Sequence, residues 1–181
     1  MQNRIVILMS CVSQLKSEGI FKPHYHPYYQ LNHILKGEFT YVVDGETFVA
    51  RPGDTVLIPY NSVHSLMLTQ REDGYYYEVK FTTLSKTDKA LCHDAGIFKE
   101  KDEFTGMLFS AILEENENLT PFSEEIMVNY LYSILYKLSV DSRRKKNAPS
   151  KYIEVTAYSE PVRKTIRFLE DHYTRQLSLG D

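Results

Sequence analysis

From residue 24 to residue 82 the chain is a series of short strand-like runs cut by closely spaced turn residues, and that spacing restricts the fold more than any other feature. Residues 39–43 and 47–50 are joined by Asp44-Gly45, a strong hairpin signal because a tight primed turn needs positive φ and these residues tolerate it. Lys36-Gly37-Glu38, Pro52-Gly53, Tyr60-Asn61-Ser62 and residues 71–74 mark further turns, with strands over 55–58, 63–69 and 75–82. Such a pattern predicts an antiparallel sandwich or barrel. Residues 4–12, mostly apolar and β-branched, predict a covered strand rather than an alternating one.

Beyond about residue 85 the period changes to that of a helix. Over 101–118, Phe104, Met107, Leu108, Ala111 and Ile112 fall on one stripe, predicting a helix that lies against the sheet. Thr120 fits an N-cap and Pro121 the first position of a second helix, with Glu124 and Glu125 near its positive end, running to about Val140. Here Met127, Leu131, Ile134, Leu135 and Leu138 form one stripe, while Ile126, Tyr130, Tyr132 and Tyr136 carry apolar character around the cylinder. That width predicts a second partner, either the sheet plus the preceding helix or another copy of the chain; packing wholly within its own domain is the plainer alternative.

Residues 141–150 read as a connector, and the run Arg143-Arg144-Lys145-Lys146 is either a phosphate contact or an ordinary solvated face. Val162, Ile166, Phe168, Leu169 and Tyr173 then supply an amphipathic helix, with Ser159 as its cap. The residues after it, to Asp181, are expected to be the start of an element that is cut short. The fold class is therefore mainly β with C-terminal helices, α+β.

At 181 residues and 43% hydrophobic content the chain can bury a substantial core. A net charge of −3 lacks the excess of Lys and Arg that phosphate neutralisation calls for, which argues against a nucleic-acid binder in its own right. Fourteen tyrosines without a tryptophan suit polar pocket walls and partner surfaces, although many are simply strand residues. Cys11 and Cys92 lie far apart and outside any metal-binding spacing, so a reducing interior without disulfides is expected. The apolar run 5–9 is too short for a membrane span, and a cytoplasmic protein is expected.

Four of the six histidines fall between His24 and His64. In an extended segment His24, His26, Gln30 and Asn32 would share one face, with Tyr29, Leu31, His33 and Leu35 on the other, Pro27 being a point where that parity can break. Intervening hairpins can bring His64 beside the first two. Two histidines two apart and a third from a distant strand can hold a metal facially, with Gln30 in the fourth position. Gln is a weak neutral donor, so the expectation is that no metal is held and that the histidines hydrogen-bond a ligand or one another. His33, of opposite parity, is assigned a structural role, and His93 and His172 have no neighbours that suggest chemistry. No nucleophile elbow, phosphate-cradling loop or His-Glu-x-x-His motif occurs, and no enzyme or cofactor is expected.

With those residues in view, the chain resembles the cupin superfamily and, more closely, the sensor half of AraC-type transcriptional regulators. The first cupin motif is matched by Gly19, His24-x-His26, Gln30 where Glu is common, and Gly37. The second is matched by Gly53, Pro59 and His64, with Asn61 in place of a usual Gly and Leu68 in place of a usual Asn. Residues 162–173 and 176–179 resemble the opening helix of the family's DNA-binding half. The resemblance implies a cupin-like barrel or jelly roll over 1–85 that takes a small molecule, often a sugar, and a helical dimerisation region over 86–140. It further implies a linker over 141–158 and, over 159–181, the first helix of a DNA-binding half otherwise missing. It implies a homodimer paired through Met127, Leu131, Ile134, Leu135 and Leu138, DNA contact only through the missing half, and no membrane. The ligand is expected at His24, His26, Gln30 and His64, with Tyr41 and Tyr60 as wall residues. The alternative is a metal-dependent cupin enzyme of the isomerase or dioxygenase type using the first four.

Overall fold

The turn residues act as their backbone preferences require. Asp44 (φ 47°) and Gly45 (φ 87°) both take positive φ and close a tight hairpin between β4 (Phe39–Val43) and β5 (Glu46–Ala50). A computed structural model describes residues 5–93, 96–99 and 104–146. The chain divides into two compact units, Met1–Lys145 and Lys146–Asp181. The second lies outside the described residues, apart from the end of one helix, and with it the expected helix over 159–181.

Within the first unit, β1 (Val6–Leu15), β2 (Ile20–His24) and β3 (Tyr29–Lys36) precede that hairpin; β6 (Asp54–Ile58), β7 (His64–Leu68) and β8 (Gly74–Thr82) follow it. Then come α1 (Lys86–Leu91), β9 (Gly96–Lys99), α2 (Phe104–Glu117) and α3 (Ser123–Lys146). The strands form two antiparallel sheets in the orders β1-β8-β3-β6-β9 and β2-β7-β4-β5. Apart from the β4–β5 hairpin, β1 to β8 alternate between the two sheets, each early strand beside a late one, which is jelly-roll connectivity. The expected mainly β architecture with C-terminal helices is the one observed.

Every residue of β3 from Tyr29 to Ile34 is buried, because the first sheet is covered on both faces. Tyr29, Leu31, Leu57, Val79 and Phe81 pack with Leu108, Phe109 and Ile112 of α2 and with α3 in one core. Ile34, Phe39, Tyr41, Val56, Ile58, Leu68 and Tyr76 fill the space between the sheets in a second core. Residues 56, 57 and 58 alternate between the two cores, as a period of two requires. Gly74 lies where a Cβ would come within 2.4 Å of the Phe39 ring, so only glycine lets the strand pass so close.

Several expectations are corrected. β1 is an edge strand with β8 as its one neighbour, so it alternates rather than being covered, and leaves Val6, Leu8 and Val12 about half exposed. β9, pairing with β6, falls where helix alone was expected. On α2 the buried positions are Thr105, Leu108, Phe109 and Ile112, while Phe104 and Met107 are 47% and 64% exposed; the stripe turns so that Phe109 stacks on His33, ring centroids 5.4 Å apart. α3 starts at Ser123, not Pro121, its lead-in closed by Thr120 N–H donating to Ser123 Oγ at 2.6 Å. It continues to Lys146, since Arg and Lys are good helix formers and cations suit a helix C-terminus.

The apolar stripe of α3 is covered by the chain itself. Met127, Leu131, Ile134, Leu135 and Leu138 are 8, 0, 0, 1 and 3% exposed and belong to the core that α3 shares with the first sheet. This stripe is thus packed within its own domain, the plainer of the two alternatives.

Candidate functional site

One end of the space between the sheets is left unfilled by the apolar core and forms a cavity of about 180 Å³. At ~30 Å³ per water, it matches a small ligand. Gln30 and Asn32 of β3 and Tyr76, Glu78 and Lys80 of β8 line it from the first sheet; Phe21 and His24 of β2, Tyr41 of β4, and His64 and Leu66 of β7 line it from the second.

His24, His26 and His64 come together, but not on one extended segment. His24 ends β2 in the second sheet and Gln30 belongs to β3 in the first, with Pro27 in the crossing between them. A register shift in β2 sets Phe21 opposite Leu66 and His24 opposite His64; the extra residue turns both Phe21 and His24 inward although their spacing is odd. His26 arrives from the crossing, its ring stacked on Tyr28 at 3.7 Å. Ring centroids are 4.3 Å apart for His24 and His64 and 4.7 Å for His26 and His64.

The proton on each imidazole is fixed locally. Nδ1 of His24 lies 2.8 Å from the carbonyl of Lys22, Nδ1 of His26 3.0 Å from that of Tyr28, and Nδ1 of His64 2.9 Å from that of Ser62. A carbonyl only accepts, so in the neutral ring Nδ1 holds the proton and Nε2 a lone pair. Burial pushes the pKa of His26 and of His64 below the ordinary value, favouring that neutral form. One ligand atom from each of the three residues lies within 4.8 Å of the others, and His64 Nε2 is buried with no hydrogen-bond partner. Three imidazoles held at Nδ1 by backbone oxygens, with ring nitrogens converging on one another, fit a divalent cation. Gln30, expected at the fourth position, has its Oε1 3.1 Å from His26 Nε2.

From this cluster a ladder of side chains runs along β3 and crosses to β4, in the same sheet as His24 and His64. His26 Nε2 lies 3.1 Å from Gln30 Oε1, Gln30 Nε2 donates to Asn32 Oδ1 at 3.2 Å, and Asn32 Nδ2 donates to the Tyr41 hydroxyl at 3.0 Å. Complete burial keeps Tyr41 protonated by raising its pKa far above that of a free phenol.

Sequence reasoning missed the charged wall. Ser13 Oγ donates to Glu78 Oε2 at 2.6 Å, Lys80 Nζ lies 3.4 Å from Glu78 Oε1, and Lys80 also sits over the Tyr28 ring, 5.7 Å from its centroid. The available signal was parity: Tyr76, Glu78 and Lys80 share one face of β8, opposite Tyr77, Val79 and Phe81, so two charges had to face the interior. Tyr60 departs from expectation in the other direction. It is 45% exposed, its ring 6.0 Å from that of Tyr29, and it does not line the cavity.

The sequence description of the AraC-like ligand binding domain matches residues 9–133. No curated protein sequence matches the chain. Similar solved structures include a predicted oxalate decarboxylase from Thermotoga maritima, 20% identical over 41% of this chain and 65% of that one, with a TM-score of 0.39; this chain thus spans just under two thirds of that protein. They also include the cupin domain of Schizosaccharomyces pombe Cnp3, 13% identical over 53% and 74%, TM-score 0.40, and an RmlC-like cupin from Shewanella frigidimarina, 19% identical over 49% and 73%, TM-score 0.38. Because the matched span runs from β1 into α3 and takes in every residue of the cavity wall, the chain belongs to the AraC-like ligand-binding domain family.

Proposed function

We propose that this chain is the small-molecule-sensing module of a dimeric, cytoplasmic DNA-binding regulator and that it performs no catalysis of its own. The observation that carries this reading is the polar cavity itself, where a sandwich of this size would otherwise be packed with apolar side chains. An effector small enough for the space is gripped by His24, His26, Gln30, Tyr41 and His64, with Glu78 and Lys80 at the far wall. Imidazole lone pairs and a carboxylate make the wall rich in acceptors, which suits a ligand rich in hydroxyl donors, such as a carbohydrate.

An effector acts only by binding one arrangement of the domain more tightly than another. A route from the cavity to α3 exists. β8, which holds Glu78 and Lys80, leads into Thr83; its hydroxyl donates to Asp88 Oδ2 at 3.0 Å, and that oxygen also accepts from the Tyr132 hydroxyl of α3 at 3.1 Å. A second copy that pairs through α3 meets the outward side, where Tyr136 and Val140 are 57% and 46% exposed. No helix among the described residues is long and apolar enough to cross a membrane. The test is a thermal-shift screen of sugars and polyols with the wild type and with a variant in which His24, His26 and His64 are all Ala. A ligand-induced rise in Tm that the variant keeps in full removes the pocket from consideration.

A second reading, a metal-dependent cupin enzyme, is favoured by the unpartnered Nε2 of His64. His24, His26 and His64 would hold a divalent cation, which would supply positive charge to polarise a ligand oxygen. Stoichiometric zinc on the purified protein and a chelator-sensitive turnover are what it requires.

A further inference from the structure

The cluster and the ladder make opposite demands on one nitrogen. His26 Nδ1 faces the Tyr28 carbonyl at 3.0 Å, which leaves Nε2 of the neutral ring as an acceptor. Gln30 Oε1, at 3.1 Å from Nε2, is an acceptor too. When the ring is neutral, two acceptors therefore face each other.

The oxygen and nitrogen of a side-chain amide occupy equivalent places, so the same positions support two hydrogen-bond registers. In one, the Tyr41 hydroxyl donates to Asn32 Oδ1, Asn32 Nδ2 donates to Gln30 Oε1, and Gln30 Nε2 donates to the His26 lone pair. Every group is satisfied. In the other, the one observed, Gln30 Nε2 donates to Asn32 Oδ1 and Asn32 Nδ2 donates to Tyr41. Gln30 then turns its carbonyl oxygen toward the His26 lone pair, an arrangement of acceptors that positive charge between them makes favourable.

We propose that Gln30, Asn32 and Tyr41 form a two-register relay that reports the state of the histidine cluster through β3 to β4 of the second sheet. With the lone pairs free, the ladder runs toward His26 and Asn32 holds the Tyr41 proton. With the lone pairs engaged by a divalent cation, the ladder reverses, Tyr41 accepts from Asn32, and its own O–H is released to the cavity as a donor. The relay rests on the cation reading above. It makes cation and effector bind cooperatively when the effector presents an acceptor oxygen to Tyr41, each raising the other's affinity by the same factor. Gln30 and Asn32 are positioning residues in this scheme, acting through Tyr41.

The test uses zinc as the only added ligand and ultraviolet resonance Raman spectra, in which the tyrosine ring doublet distinguishes a hydroxyl that only donates from one that accepts. Subtracting the spectra of Tyr41→Phe isolates this residue. Zinc is expected to bind one per chain and to move the Tyr41 doublet from the donor-only toward the accepting form. In Asn32→Leu zinc affinity is expected to stay within about threefold while the spectral change disappears. Should that variant fail to fold, Gln30→Ala cuts the ladder at its other end and is expected to abolish the change in the same way. Stoichiometric zinc binding with an unmoved Tyr41 doublet overturns the relay and leaves the cation site standing. Absence of zinc binding overturns both.

Discussion

His33 of β3 and His26 of the crossing that leads into it serve different ends on the two sides of the first sheet. On the helix side His33 donates or accepts through Nδ1 to Thr55 Oγ1 at 2.9 Å, and its ring forms a cluster with those of Tyr77 and Phe109, centroids 5.4 to 6.3 Å apart. On the cavity side His26 also has a fixed Nδ1, but its Nε2 converges with two other imidazoles. Burial lowers the pKa of both, so burial does not distinguish a site from a core. Shared direction of lone pairs does. The helix side stores stability; the cavity side leaves polar groups for a ligand.

The sharpest way to break that division is to truncate adjacent residues of one strand. Leu31→Ala, on the helix side and fully buried, is expected to lower unfolding stability by about 2–5 kcal/mol. Gln30→Ala, on the cavity side, is expected to cost no more than about 1 kcal/mol, because water in the adjoining space can satisfy its partners. Urea denaturation measures both, and equal losses would end the distinction.

Gly106→Ala probes the helix side alone. Helix propensity favours Ala by about 1 kcal/mol, but the new Cβ would stand 3.0 Å from His33 Nε2, and the stacked, hydrogen-bonded ring has little room to move. A net destabilisation of about 1 kcal/mol is expected, against the propensity, and a gain in Tm would mean that His33 is loosely held.

Acid should distinguish His33 more weakly. Its folded pKa is lowered from 6.5 by burial, with Asp54 opposing, so the unfolded chain binds the proton first. Stability from keeping the ring neutral is complete above pH 6.5 and is lost as pH falls from there through the folded pKa. Tm measured between pH 7 and 5 should fall less in His33→Gln than in the wild type. The smallest effect is expected at Tyr60. Tyr60→Ala should stay within about 0.5 kcal/mol of wild-type stability and leave ligand-induced stabilisation unchanged.

What was legible in the sequence follows the range of the interactions involved. The hairpin at Asp44-Gly45 is written in two residues whose backbone preferences need no distant partner. The edge position of β1 and the existence of β9 depend on strands far away in the chain, so an apolar run such as 4–12 could not reveal that half of it faces outward. Met127, Leu131 and their neighbours announced burial, but a stripe does not say whose surface covers it. The meeting of His24, His26 and His64 was legible because of their chemistry, although the crossing at Pro27 and the bulge in β2, not simple alternation, bring it about. Glu78 went unnoticed because a single carboxylate in a tyrosine-rich strand reads as a solvated position until its neighbours' parity is counted.

The strand that closes the cavity is also loosely held. Among the described residues β2 has β7 as its only neighbour in the sheet, carries an irregularity in its middle, and exposes all five of its residues, yet it supplies Phe21 and His24 to the wall. Its amides should therefore exchange for deuterium well before those of β3. The rate at which an effector gains admission would then follow the fraying of that one strand, leaving both cores untouched while the door swings.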